Sequence, residues 1–219
     1  VLHFHRYQTI NEFITAIVSS DREVIFDLEQ SGLTDIQKNA FIEIEKFIKS
    51  HDQKIFVLNG ISNAGKSYLI KQVIEYLHSL KRSNILLAST SRVAESIRLL
   101  NQYEKVTSLY TLIYNFNESN LLSNLTTSES STDEFEEDNI EKVRFNYKKN
   151  LDDPNIVYLV DNAELVSDDT TEFELIILGS GKLVQDLIEY TQIKSAGRDR
   201  KIIFVGDNKQ LSRGSKSLS

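Results

Sequence analysis

Eight consecutive residues, Gly60-Ile61-Ser62-Asn63-Ala64-Gly65-Lys66-Ser67, fit the spacing G-x-x-x-x-G-K-[ST], a pattern whose chemistry is the holding of phosphate groups. A loop wrapped round a phosphate needs backbone N–H groups that converge on one point, and glycine permits the required backbone angles at little steric cost. Lys66 would bring a point charge to the β- and γ-phosphates, and the hydroxyl of Ser67 is placed to ligate Mg²⁺. Gly60, Ser62, Asn63, Ala64, Gly65 and Lys66 are therefore the expected phosphate-binding residues, with ATP and Mg²⁺ as the expected ligands. The plain alternative is a glycine turn followed by an exposed lysine. A second acid of interest, Asp161, closes the apolar run Ile156-Val157-Tyr158-Leu159-Val160. In a protein with such a loop, a carboxylate at the end of a core strand faces Mg²⁺.

Both groups need elements that hold them. Before the loop, Ile55-Phe56-Val57-Leu58 reads as a strand buried on both faces of a parallel sheet. After it, apolar residues at 69, 70, 73, 74 and 77 have the spacing of an amphipathic helix, whose first turn adds free N–H groups and a positive dipole end. Strand, glycine-bounded loop and helix together are the context in which the motif carries meaning. Further buried strands are expected at Asn84–Ala88 and Lys201–Val205, with helical spacing at 10–18, from Leu33 to Ile48, from Val93 to Leu100 and from Leu183 to Ile193. Val143 to Tyr147 alternates like an edge strand. Alternation of strand and helix predicts an α/β fold, a mostly parallel sheet of about five strands with helices on both faces, and ligands at the carboxyl ends of the strands.

Two groups of polar residues have both a capping and a binding reading. Thr34-x-x-Gln37 is a capping box, while a glutamine shortly upstream of the phosphate loop reads the adenine edge in many helicases, so Gln37 is a candidate for either role. Ser89, Thr90 and Ser91 are good helix N-caps; with Arg92 they could instead hold a nucleic-acid phosphate at a helix N-terminus. Neither reading is excluded by the sequence.

Composition sets the limits. The chain has 219 residues, 40% of them hydrophobic, enough to bury a core in one domain. It has no cysteine, which excludes disulfides, thiolate zinc sites and cysteine nucleophiles. The histidines at 3, 5, 51 and 78 show no metal spacing. No run approaches the length of a membrane span, and the first residues lack a signal-peptide pattern, so a cytoplasmic protein is expected. The absence of methionine, even at position 1, is expected of a trimmed chain. Residues 117 to 141 carry eight acids and no Lys or Arg; setting that −8 aside from a net charge of −7 leaves the remainder at +1, which does not veto a nucleic-acid strand on one face. The acidic stretch is expected to be an exposed, mobile insertion. The domain division expected is a helical lead-in at 1–32 and an ATP-binding domain at 33–219.

Other motifs narrow the class. A GTPase would show N-K-x-D, whereas Asn208-Lys209-Gln210 ends in Leu211. Small-molecule kinases carry an arginine-rich lid that this chain lacks. Leu33-Thr34-x-x-Gln37, the phosphate loop, Ala88-Ser89-Thr90-Ser91-Arg92, Asp161-Asn162-Ala163 and Gly206-Asp207-x-x-Gln210-Leu211 together resemble the ordered motifs of superfamily 1 DNA helicases of the RecD-like branch. The resemblance implies a RecA-like domain that couples ATP to single-stranded DNA. It gives Asp161 and Ser67 to Mg²⁺, Asp207 to the nucleotide site and Gln210 to sensing of the γ-phosphate. Ser89 to Arg92 become contacts to single-stranded DNA, and the loop near Thr107 to Leu112 resembles a second such contact.

Where the family has D-E-A-S, this chain has Asp161-Asn162. A neutral amide can orient a water but cannot take its proton, although Glu164 follows closely. Where the family continues Pro-Pro after the leucine, Ser212-Arg213 stands here, and Ser-Asn-Ala replaces a Gly-Thr-rich loop core. These departures imply slowed, altered or absent hydrolysis, and hence an alternative function as a nucleotide-dependent binding switch. A motor of this kind also uses a second RecA-like domain, expected in a longer chain.

Overall fold

The computed structural model describes residues 26–101, 103, 105–114, 143–163, 166 and 176–207. The expected helix at 10–18, the acidic stretch 117–141, Glu164 and Gln210 lie outside these residues. Seven strands are described, β1 (Ile55–Asn59), β2 (Asn84–Ala88), β3 (Val106–Ser108), β4 (Val143–Phe145), β5 (Val157–Asp161), β6 (Ile176–Leu178) and β7 (Lys201–Gly206). The helices are α1 (Asp35–Lys49), α2 (Lys66–Ser79), α3 (Ser91–Asn101), α4 (Leu109–Ile113) and α5 (Leu183–Thr191), preceded by a 3-10 turn at Glu29–Ser31.

Five strands form one all-parallel sheet in the order β1-β7-β5-β2-β3. Successive side chains of a strand point to opposite faces, and here both faces are covered. Val157 and Leu159 of β5, Leu86 of β2 and Ile203 and Val205 of β7 pack with α1 and α2; Tyr158 and Val160, Leu87 and Ile202 pack with α4 and α5. The chain is therefore an α/β domain with helices on both sides of a parallel sheet, as the alternation of segments predicts.

β1 departs from expectation. Its apolar run reads as a strand buried on both faces, yet β1 is the edge of the sheet, and Ile55 and Val57 are 42% and 57% exposed among the described residues. Only Phe56 and Leu58 turn toward the core. A run of four apolar residues looks the same whether one neighbour strand or two lie beside it. Val143 to Phe145 does form a strand, but in a separate two-stranded parallel sheet with β6.

Where β6 leaves, Gly179 has φ 52° beside Asp186, which is wholly buried on α5. The Asp186 carboxylate accepts from the hydroxyls of Tyr114 (2.6 Å) and Tyr147 (2.7 Å) and from the backbone and hydroxyl of Ser180. These bonds tie α4, α5 and the small sheet together. Burial, followed by the bond to Asp186, raises the Tyr147 phenol to about 12, and the same causes raise Tyr114 further.

The amino rim of the sheet is held by charge. Asp199, just before β7, pairs with Lys54 (3.0 Å), Arg82 (3.0 Å) and Lys201 (3.3 Å). The Lys201 side chain is fully buried; its ammonium also donates to the carbonyls of Ser50 and Gln53 and lies 4.9 Å from the centre of the Phe47 ring. Arg82 donates further to the carbonyls of Ile48, Asn155 and Asp199, and buried Arg200 donates to those of Asp152, Asp153 and Thr191.

Candidate functional site at the carboxyl rim

Because all five strands run the same way, their carboxyl ends share one rim. Asn59 is level with Gly206, Asp161 with Val205, and Ala88 with Ser108. Along that rim lie the loop 60–65, then Asp207, then Asp161 with Asn162, then Ser89 to Arg92. β1 and β5 are two strand spacings apart, about 10 Å between backbones, with β7 between them.

The loop is fixed by bonds to its own chain. The N–H of Gly60 extends the sheet by donating to Gly206 O (3.1 Å), and that of Ala64 closes a turn on Ile61 O (3.2 Å). Asn63 and Gly65 both have positive φ, 62° and 79°, the backbone that a phosphate-holding loop requires. Gly65 is the N-cap of α2 and makes no side-chain cap bond. The Lys66 ammonium donates to Gly60 O (2.8 Å) and Ile61 O (3.0 Å), so its charge lies over the loop it follows. Ser62, Asn63, Ala64 and Ser67 are exposed, and Lys66 is half-buried.

Asp207 faces the loop backbone: 5% exposed, it accepts the N–H of Ser62 at 2.8 Å. As a nucleotide contact it would act through the loop, because its carboxylate holds one of the amides that a phosphate would use. Sequence reasoning missed this bond, since residues 145 apart in sequence give no local signal.

Gln37 makes the capping box and reaches the loop. Its Oε1 accepts from Thr34 N (3.0 Å) and Thr34 Oγ1 (3.1 Å), while Thr34 Oγ1 accepts from Gln37 N. Its Nε2 donates toward the carbonyls of Ala64 (3.3 Å) and Gly65 (3.4 Å). The two ends of one carboxamide thus join the start of α1 to the exit of the loop.

Asp161 is half-buried at the end of β5, and its Oδ1 accepts the N–H of Asn162 at 2.9 Å. Asn162 has φ 52°, left-handed backbone that asparagine tolerates better than most residues. Burial, with the charges of Asp161 and Glu75 adding to it, raises the Tyr103 phenol above its ordinary range. Among the described residues no group of three or more His, Asp or Glu side chains forms a metal cage. The donors available for Mg²⁺ are the exposed Ser67 hydroxyl and the Asp161 carboxylate, an oxygen set suited to an ion that takes its other ligands from phosphates and water.

The candidate nucleic-acid residues separate by environment. Thr90 caps α3, its Oγ1 accepting from Val93 N (3.2 Å), and Ser89 is buried. Ser91 joins a hydroxyl cluster with Ser108 (3.2 Å) and Thr111 (3.3 Å), which are themselves 2.8 Å apart. Thr107 is half-buried in β3 opposite Leu87, and Arg92 is exposed. Ser108 and Thr111 lie within the expected 107–112 contact stretch, and there Ser108 is an N-cap whose hydroxyl accepts from Thr111 N, a signal visible in the S-x-x-T spacing. A cleft of about 530 Å³ lies elsewhere, between α2 and the amino ends of β2 and β3.

No protein-family model matches this chain, and comparison with curated proteins finds no match. No helix among the described residues is long and apolar enough to cross a membrane.

Proposed function

We propose that the described domain is a RecA-like, P-loop ATP-binding domain, and that it serves as the motor domain of a RecD-like DNA helicase that couples ATP to single-stranded DNA. One observation carries this reading: residues 60–67 run from β1 into α2 on the same rim as Asp161, with Asp207 between them just past the end of β7. The loop amides and Lys66 would hold the phosphates, with Lys66 leaving its two loop carbonyls to do so. Ser67 and Asp161 would hold Mg²⁺, which when bound neutralises phosphate charge. The hydroxyls and Arg92 at the start of α3 would meet the strand, and Gln210 would sense the γ-phosphate. A second RecA-like domain would supply a charge-stabilising arginine.

A second reading has its own support. Asn162 stands where the family's water-activating glutamate would be, and its N–H engages Asp161 Oδ1. Such a site binds nucleotide and changes shape without turning it over, so the protein would act as a binding switch.

ATP turnover on the full-length protein, with and without single-stranded DNA, separates the two when an Asn162→Glu variant is run beside it. DNA-stimulated turnover by the parent supports the motor. ATP binding without turnover, with turnover restored by Asn162→Glu, supports the switch. No nucleotide binding in either protein contradicts both.

A further inference from the structure

We propose that Gln37 is a positioning residue for the phosphate loop and not a reader of the base, so that the site takes nucleoside triphosphates by their phosphate chain with little discrimination between bases. The proposal rests on the nucleotide-binding reading above. A carboxamide has two acceptor positions on its oxygen and two hydrogens on its nitrogen. In Gln37 both acceptor positions are engaged by Thr34, and both hydrogens face the carbonyls of Ala64 and Gly65. The orientation of the amide is fixed by chemistry, because only its oxygen can accept the Thr34 N–H. Reading an adenine edge takes one donor and one acceptor at once, and neither is left over.

The same contact explains the close approach of the loop. Built on Gly65, a Cβ would stand 2.3 Å from Gln37 Nε2. The carboxamide therefore fills the space beside the last glycine of the motif, where it clamps the carbonyls that precede α2. The Gly65 carbonyl also accepts the Leu69 N–H at 3.0 Å, so it is the Ala64 carbonyl that Gln37 holds in place, and with it the peptide plane that carries the Gly65 N–H. Gln37 thus acts on every ligand that uses that amide, whatever base it carries.

The Gln37→Glu variant separates the two ends. Glutamate keeps the acceptor that the capping box requires and removes both hydrogens from the loop side, leaving a carboxylate oxygen against two carbonyls. Dissociation constants of wild-type and Gln37→Glu full-length protein are to be measured calorimetrically with Mg-ATP, Mg-GTP and inorganic tripolyphosphate, with a thermal melt of each protein. The expected result is affinity weakened about tenfold for all three probes, as loss of roughly one hydrogen bond to the loop implies. The ATP-to-GTP ratio should stay near one in both proteins, with the melting temperature lowered by only a few degrees, as loss of about 1 kcal/mol implies. Weakening confined to ATP, a strong preference of the wild type for ATP, or no change with any probe would overturn the proposal while leaving nucleotide binding intact. Failure of the wild type to bind any of the three would remove the nucleotide-binding reading, and this inference with it.

Discussion

At the carboxyl rim, among the described residues, Lys66 bonds to two carbonyls of the adjacent loop, and the polar side chains of Ser62, Asn63 and Ser67 are exposed. At the amino rim of the same sheet Lys201 is fully buried, with two carbonyls, a carboxylate and an aromatic ring around it. The two lysines differ in what a ligand could do with them. Lys66 can swing to an incoming phosphate at the cost of one exposed and one part-buried bond, both to carbonyls at the surface loop. Lys201 is fully buried, and breaking its contacts leaves a charge in a low-dielectric interior. The carboxyl rim is thus built for exchange of partners and the amino rim for permanence, so substitutions at the first should alter binding and those at the second stability.

The strongest way to break the comparison is at Asp199. Asp199→Ala strands Lys54, Arg82 and Lys201 around a lost carboxylate, and should lower unfolding free energy by about 3 kcal/mol in chemical denaturation, the low end of the range for a broken buried pair, because Lys201 is fully buried while Asp199, Lys54 and Arg82 are partly exposed. Any nucleotide affinity of the protein still folded should not change. A stability change below 1 kcal/mol, to order of magnitude for an exposed pair, would erase the distinction between the rims.

Gly179→Ala is expected to come next. Its Cβ would lie 2.4 Å from Asp186 Oδ2 and 2.8 Å from a ring carbon of Tyr114, at positive φ. A loss of about 2–3 kcal/mol follows from overpacking together with strained backbone, again read by denaturant titration.

Solution pH sharpens the same contrast. Burial would by itself raise the Asp199 carboxyl, but the Lys54 hydrogen bond and the charges of Lys201 and Arg82 outweigh it and hold it below the usual range. Its contribution is present above the unfolded value of about 4 and is lost as pH falls through the lower folded value. At the other end, burial raises Tyr147 and Tyr190 to about 12 and Tyr114 and Tyr158 further. Unfolded tyrosines ionise near 10, so stability should hold below about pH 10 and fall as pH climbs toward 12 and beyond. Lys201, which burial holds below its ordinary range, acts oppositely and at lower pH. Denaturation midpoints from pH 3 to 12, as an approximate working range, check both signs; a midpoint that rises above pH 10 would contradict the tyrosine assignment.

A smaller effect belongs to the helix that follows β2. Thr90→Ala removes the α3 cap and should cost about 1 kcal/mol, whereas Arg92→Ala, at an exposed position, should leave the melt unchanged. If Arg92→Ala weakens single-stranded DNA binding while Thr90→Ala does not, the capping and binding readings of this stretch are separated.

Much of this layout is legible in the sequence because it depends on local pattern. The apolar runs at 156–160 and 202–205 read as core strands and are core strands, and Thr34-x-x-Gln37 forms the capping box its spacing predicts. The exposure of Val57 was not legible, because strand order is set by pairing partners far away in sequence. Nor was the second role of Gln37, since its Nε2 meets carbonyls 27 and 28 residues on. Asp207 could be suspected from its place after a core strand, yet its bond to Ser62 N depends on β7 lying beside β1. Local propensity thus gives the elements, while the site's restraints come from tertiary pairing.

Whether Lys66 holds phosphate is decided by calorimetric titration of Mg-ATP into wild-type and Lys66→Ala full-length protein, with a thermal melt of each. Measurable binding by the wild type is expected, with at least about a hundredfold weaker binding by Lys66→Ala after loss of a charge-assisted phosphate contact, and coincident melts. Equal binding by both proteins, or a Lys66→Ala variant that binds normally but melts early, would contradict this role: Lys66 would then belong with the permanent charges of the amino rim.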